Sequence, residues 1–233
     1  MNILLMGCSW GVPNYYGLPG DEPETHLEFL IKKLGHNVLN CSLNGGSNLS
    51  SLNRVSTYFL EKKDIDHPTS DPAFQCIKYD PKFIVDKVIW FHTDPGRDSH
   101  VINRFNKSIN QQLEQICRFT YKNISNFFEK LNFQSIAIIG GCADVHTCIT
   151  EYFRPEFLLP SWQQELIGRS ARTWNMQTGL PIPTDEDISI IEKSLAAIHL
   201  FEEKRDIFPD GGHPGRIAHK QLFDKLVVSL GLI

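Results

Sequence analysis

What the chain lacks narrows its class first. No apolar run approaches the roughly 20 residues that a membrane-spanning helix needs, so no membrane span is expected. There is no basic surplus: 23 Lys and Arg stand against 27 Asp and Glu, a net charge of −4. That balance argues against a general nucleic-acid binder, which is usually basic. The six cysteines (Cys8, Cys41, Cys76, Cys117, Cys142 and Cys148) contain no CxxC pair and no regular spacing. A zinc site is therefore not expected. Neither GxGxxG nor GxxxxGK[ST] follows the first apolar run, which counts against a flavodoxin-like nucleotide-binding domain. Leu5-Met6-Gly7-Cys8 looks faintly like a lipoprotein cleavage site, but no basic stretch precedes it and the apolar run is too short for a signal peptide. Reduced thiols and a cytoplasmic location are the expectation. No internal repeat, low-complexity tract or linker appears, so residues 1–233 read as one domain.

What is there is ordinary for a globular protein: 41% hydrophobic and 21% charged residues over 233 positions, enough for one full core. Ile3-Leu4-Leu5-Met6 is a continuous apolar run ended by Gly7, which suits a fully buried strand. Thr25 to Leu34 reads as a helix with Leu27, Leu30, Ile31 and Leu34 on one face and Gly35 as its stop. Val38 to Cys41 is a second strand, and Leu49 to Lys62 a second helix. Strand, helix, strand, helix is the pattern of parallel βαβ units. Residues 63–82 lose periodicity and read as an irregular insertion. Lys87 to His92 is a third strand, Asn103 to Leu131 a long helix, and Phe133 to Ile139 a fourth strand. Residues 142–184 carry no sustained period and read as a lid or substrate-facing insertion. Asp185 to Glu203 reads as a helix. A last helix begins at Pro214, which suits a first helical position, with Ile217, Leu222, Leu226 and Leu230 on its apolar face.

In an open parallel sheet, ligands bind outside the carboxyl ends of the strands. Unusual turns fall there after Gly7, Cys41 and His92, and a fourth, Pro209-Asp210-Gly211-Gly212-His213-Pro214, precedes the last helix. Asp210 and His213 lie three residues apart. A carboxylate on one ring nitrogen fixes the tautomer and leaves the other nitrogen free as a base. A base of that kind needs a nucleophile, and Ser9, in Gly7-Cys8-Ser9-Trp10-Gly11, sits where a strand turns out of the sheet. A lone serine here would be read as a cap; its coincidence with Asp210 and His213 favours chemistry. Gly45, with the backbone N–H of Ser9, is a candidate oxyanion donor. Thr93 is a candidate side-chain donor. Asn48 either caps the second helix or faces the site. Arg97 pairs with Asp94 or Asp98, or binds an anionic substrate. Asp144 and His146 could line the site, but the structural reading is favoured for both; His92, His100 and His219 read as structural too.

Together these turns resemble the SGNH (GDSL-like) hydrolase superfamily. Gly7-Cys8-Ser9-Trp10 stands in place of its Gly-Asp-Ser block and Asn40 to Gly45 for its glycine block. Thr93-Asp94 stands for its Gly-x-Asn-Asp block, and Asp210-Gly-Gly-His213-Pro for its Asp-x-x-His block. The resemblance implies a three-layer α/β/α sandwich with a central, mostly parallel sheet. It also implies metal-free hydrolysis of esters, thioesters or carbohydrate O-acyl groups. Ser9 would be the nucleophile, His213 the base, Asp210 the orienting carboxylate and Gly45 an oxyanion donor. Two departures stand out: Cys8 replaces the aspartate before the serine, and Thr93 stands where an oxyanion asparagine is the pattern. The Gly-Cys-Ser-aromatic start and the Gly-Gly-Ser-Asn turn are also similar to SGNH-like proteins of phage genomes. The expected substrate is a small ester or an acylated carbohydrate. The competing reading is a non-catalytic binding or structural protein that keeps the fold and pocket.

Overall fold

The computed structural model describes residues 1–13, 23–69, 76–95, 97–98, 109–141, 144–167, 207 and 213–233. Five strands form one parallel sheet: β1 (Asn2–Gly7), β2 (Asn37–Ser42), β5 (Lys87–His92), β6 (Ser135–Gly140) and β7 (Phe157–Leu159). Their spatial order is β2-β1-β5-β6-β7. All neighbours run parallel, with Met6 level with Cys41 on one side and Trp90 on the other. From β1 the chain moves outward to β2 and then returns across the sheet to β5. The loops after β1 and β5 therefore leave in opposite directions and open a crevice between them, where α/β sheets bind ligands.

The strands read as apolar runs because both faces are covered. Leu4, Met6, Val88, Trp90, Ile136 and Ile138 face α2 (Asn48–Phe59) and α3 (Ile109–Phe128), meeting Val55, Tyr58, Tyr121 and Phe128. The alternate residues Ile3, Leu5, Ile89, Phe91, Ala137 and Ile139 face the other way. They meet Leu27 and Ile31 of α1 (Leu27–Lys33), Trp162 of α4 (Trp162–Ile167), and Leu222 and Leu226 of α5 (Arg216–Ser229). Helices on both faces of a parallel sheet make the three-layer α/β/α sandwich that the sequence implied. Among the described residues no helix is long and apolar enough to cross a membrane.

Several elements differ from the sequence reading. Residues 63–82 contain a two-stranded antiparallel ribbon, β3 (Ile65–Asp66) with β4 (Cys76–Ile77). Residues 142–184 are not all loop: Thr147–Glu151 forms a 3-10 turn, Phe157–Leu159 is the edge strand β7, and α4 follows. Residues 142–143 and 168–184 of that segment, the helix expected at 185–203, and the start of the long helix before residue 109 lie outside the described residues. The buried face of α1 is Leu27, Glu28 and Ile31, while Leu34 is 37% exposed. The periodicity misses this because a buried Glu28 takes an apolar position. Pro214 is not the first residue of α5. Gly215 is its N-cap, and the buried face is Ala218, His219, Leu222 and Leu226, with Ile217 turned 37% to solvent. Cys8, Cys41, Cys117 and Cys148 are buried free thiols, and Cys76 is an exposed one.

Behind the sheet edge, His92 is fully buried and its Nε2 lies 2.9 Å from the Tyr121 hydroxyl. Its Nδ1 has no hydrogen-bond partner among the described residues. Burial pushes its pKa down from 6.5 to about 3, against the pull of Asp94. The unfolded chain therefore binds the extra proton between those two values. The stability that neutral His92 contributes is present above pH 6.5 and is lost as pH falls toward about 3. Urea midpoints are expected to fall between pH of about 7 and about 4, and less steeply in His92→Gln, which cannot titrate. Parallel slopes for the two proteins would refute this.

Candidate active site

The Ser9 turn is shaped by two glycines. Gly7 ends β1 with φ +126°, and a Cβ there would drive into the Phe91 carbonyl. That carbonyl instead accepts from the Cys8 N–H at 3.1 Å, while the Gly7 N–H donates to Ser51 Oγ at 2.7 Å. The chain thus leaves the sheet within one residue. A 3-10 turn, Ser9–Gly11, follows, closed by Gly11 N–H to Cys8 O and Val12 N–H to Ser9 O, each 3.1 Å. Gly11 packs against the Phe91 ring and Ser42 Oγ with no space for a side chain.

The far end of this turn is tied down by residues the sequence reading passed over. Asn40 Nδ2 donates to the Gly11 carbonyl at 3.0 Å and to Glu28 Oε2 at 2.7 Å. Glu28 Oε1 accepts from Lys32 Nζ at 2.6 Å and meets His67 Nε2 at 3.0 Å. Burial alone would raise the Glu28 pKa, but the His67 hydrogen bond and the Lys32 charge outweigh it and hold the carboxyl below its ordinary range. A buried glutamate on an otherwise apolar helix face was the available signal.

His213 comes from the opposite end of the chain. It lies two residues before Gly215, whose N–H donates to the Ile207 carbonyl at 2.7 Å. Its Nε2 is 2.9 Å from Ser9 Oγ, across 204 residues of sequence. Ser9 is 6% exposed and His213 partly buried. A neutral imidazole nitrogen at that distance from a hydroxyl can take its proton as the oxygen attacks. Asp210 lies outside the described residues.

The other candidates fall as follows. Gly45 is exposed with φ +64°, in a turn that the Gly46 N–H closes onto Leu43 O at 3.1 Å. Ser47, not Asn48, caps α2, through a reciprocal box with Ser50. Asn48 is fully buried, and its amide is spent inside the protein. Oδ1 accepts from Trp90 Nε1 at 3.1 Å and Thr93 N–H at 3.0 Å; Nδ2 donates to Thr93 O at 3.2 Å and Asp98 Oδ2 at 2.9 Å. That uses the whole capacity of an asparagine side chain, so Asn48 holds the Thr93 turn rather than facing a substrate.

Thr93 itself is 2% exposed. Asp98 is not Arg97's partner. It is buried at the start of α2, where its Oδ1 accepts the Leu49 N–H at 2.9 Å, and burial raises its pKa despite these bonds. Arg97 is exposed, its N–H donating to Asp94 O at 3.0 Å. Asp144 is partly buried, and His146 caps the 3-10 turn Thr147–Glu151 through Cys148 N–H at 3.2 Å.

Among the described residues no cluster of His, Cys, Asp or Glu could hold a metal ion. A groove of about 640 Å³ between α2 and α3 is walled by helix residues such as Leu52, Phe119 and Phe127, and neither Ser9 nor His213 lines it.

No protein-family model matches the chain, and no curated protein matches it. Among solved structures, a presumed lipolytic protein of the G-D-S-L family from Desulfitobacterium hafniense DCB-2 aligns over 98% of each chain, with 11% identity and a TM-score of 0.39. A likeness of that strength says nothing of chemistry, which rests on the chain's own side chains.

Proposed function

We propose that the protein is a serine hydrolase of the SGNH type, acting through an acyl-enzyme on a small ester or an acylated carbohydrate. The contact of 2.9 Å between His213 Nε2 and Ser9 Oγ, at the carboxyl edge of the sheet, carries this reading. Ser9 Oγ attacks the ester carbonyl carbon while its proton passes to His213. The carbonyl electron pair moves to oxygen, then returns and expels the alcohol, which takes the proton from His213. Water, deprotonated by His213, repeats the attack on acyl-Ser9 and frees the acid. Asp210 accepts from the second ring nitrogen of His213 and holds its tautomer. The main-chain N–H groups of Ser9 and Gly45 and the Thr93 hydroxyl meet the oxyanion. Arg97 meets an anionic part of the substrate. The cycle uses no cofactor.

One observation favours the competing reading of a non-catalytic binding protein. Thr93 offers only a short hydroxyl arm, and its own N–H is taken by Asn48. Losing one oxyanion donor costs on the order of 100- to 1000-fold in rate.

Labelling with a fluorophosphonate probe, followed by peptide mapping, separates the two. Modification is expected at Ser9, and is expected to vanish in heat-denatured protein and in His213→Ala. Folded protein that resists the probe would sink the hydrolase reading and favour the binding one.

A further inference from the structure

The turns that carry Ser9 and His213 are braced by one set of buried rings. His219, one turn into α5, is 2% exposed. The Leu27 N–H approaches its Nδ1 at 3.4 Å, and its ring hydrogen-bonds the backbone of Pro214, the residue after His213. Proline has only a carbonyl to offer, so the ring donates there. A neutral imidazole has one accepting and one donating nitrogen, so the uncharged ring alone serves both contacts. Burial, with the His26 ring stacked at 4.3 Å, holds the His219 pKa well below the ordinary imidazole range. The same ring meets Trp162 edge-on at 5.3 Å. Trp162 in turn meets Trp10, the residue after Ser9, edge-on at 5.6 Å. Contacts thus run without a break from Pro214 through His219 and Trp162 to Trp10, from the turn of the base to the turn of the nucleophile.

We infer that His219 is a positioning residue: with Trp162 and Trp10 it sets the separation of Ser9 and His213. Its kinetic consequence rests on the hydrolase reading; its structural consequence does not. Misplacing reacting groups by about 1 Å costs on the order of 100-fold in rate. A residue that merely filled the core would change stability and leave the reactivity of the folded fraction alone.

The test uses the full chain and two variants. His219→Phe keeps a ring against Trp162 and His26 but cannot donate to Pro214. His219→Gln restores a donor and an acceptor. Two readouts are taken on folded protein: the rate of Ser9 acylation by a fluorophosphonate, and the ring ¹⁵N resonances of His213. His219→Phe is expected to acylate roughly 10- to 100-fold more slowly and to shift the His213 Nε2 resonance, with His219→Gln recovering most of both. Folded His219→Phe with wild-type acylation and an unmoved resonance overturns the inference. A wild-type protein that is not acylated removes the hydrolase reading alone, and the resonance comparison then decides the positioning role. Should His219→Phe not fold, Trp162→Phe shortens the same run of contacts and is judged by the same readouts.

Discussion

Ser9→Ala is expected to abolish ester hydrolysis, by on the order of 10⁴- to 10⁶-fold in kcat, while the protein keeps its fold. The substitution removes one oxygen and one hydrogen bond, to His213 at 2.9 Å. A single hydrogen bond of this kind contributes about 0.5–1.5 kcal/mol net. In a chain of this size that moves the melting midpoint by only a few degrees, at roughly 2–4 °C per kcal/mol. The asymmetry is diagnostic: a large kinetic loss beside a small thermal one marks Ser9 as a reacting group. Turnover of a short-chain ester and thermal unfolding, measured on the same samples, check it. Equal turnover in both proteins would show that the hydrolysis arises elsewhere.

The second large effect concerns stability. Gly7→Ala is expected to lose about 3 kcal/mol or more. The backbone at φ +126° is one that side chains rarely adopt, a strain of about 1–3 kcal/mol. The added methyl also meets the Phe91 carbonyl, inside the sheet where β1 and β5 are paired. Relieving that overlap costs roughly another 1–3 kcal/mol and disturbs the Cys8 N–H bond to the same carbonyl. Gly45→Ala is the control. It has φ +64°, but its Cβ would meet nothing within 4 Å, so only the dihedral strain is felt. Urea unfolding of the two variants should differ by about 2 kcal/mol or more. Equal losses would mean that the approach of β1 to β5 relaxes freely.

The sheet was largely legible because its central strands are buried on both faces and so appear as continuous apolar runs, as in Ile3 to Met6 and Val88 to Phe91. β7 was not. Phe157-Leu158-Leu159 is three residues between Pro155 and Pro160, too short for any period to register. The helix faces misled wherever a polar residue is buried. Glu28 replaces an apolar position in α1 because Lys32, His67 and Asn40 satisfy it, and none of those bonds is visible in a hydropathy pattern. At the site, Ser9 and His213 were legible because glycine-rich turns mark where a strand stops and a helix begins. The burial of Asn48 and the contacts of His219 were not, since their partners lie 45 and 192 residues away. Only the folded chain brings these groups together.

The 204 residues between Ser9 and His213 also have a consequence in time. A ribosome adding about 5–20 residues per second takes roughly 10–40 s to travel from the codon for Ser9 to the codon for His213. Throughout that interval the Ser9 hydroxyl has been made and the imidazole that meets it in the folded chain has not. On the hydrolase reading, the nascent chain therefore lacks its base until nearly all of it has been made. A shortened product that stops before His213 carries the serine without its partner.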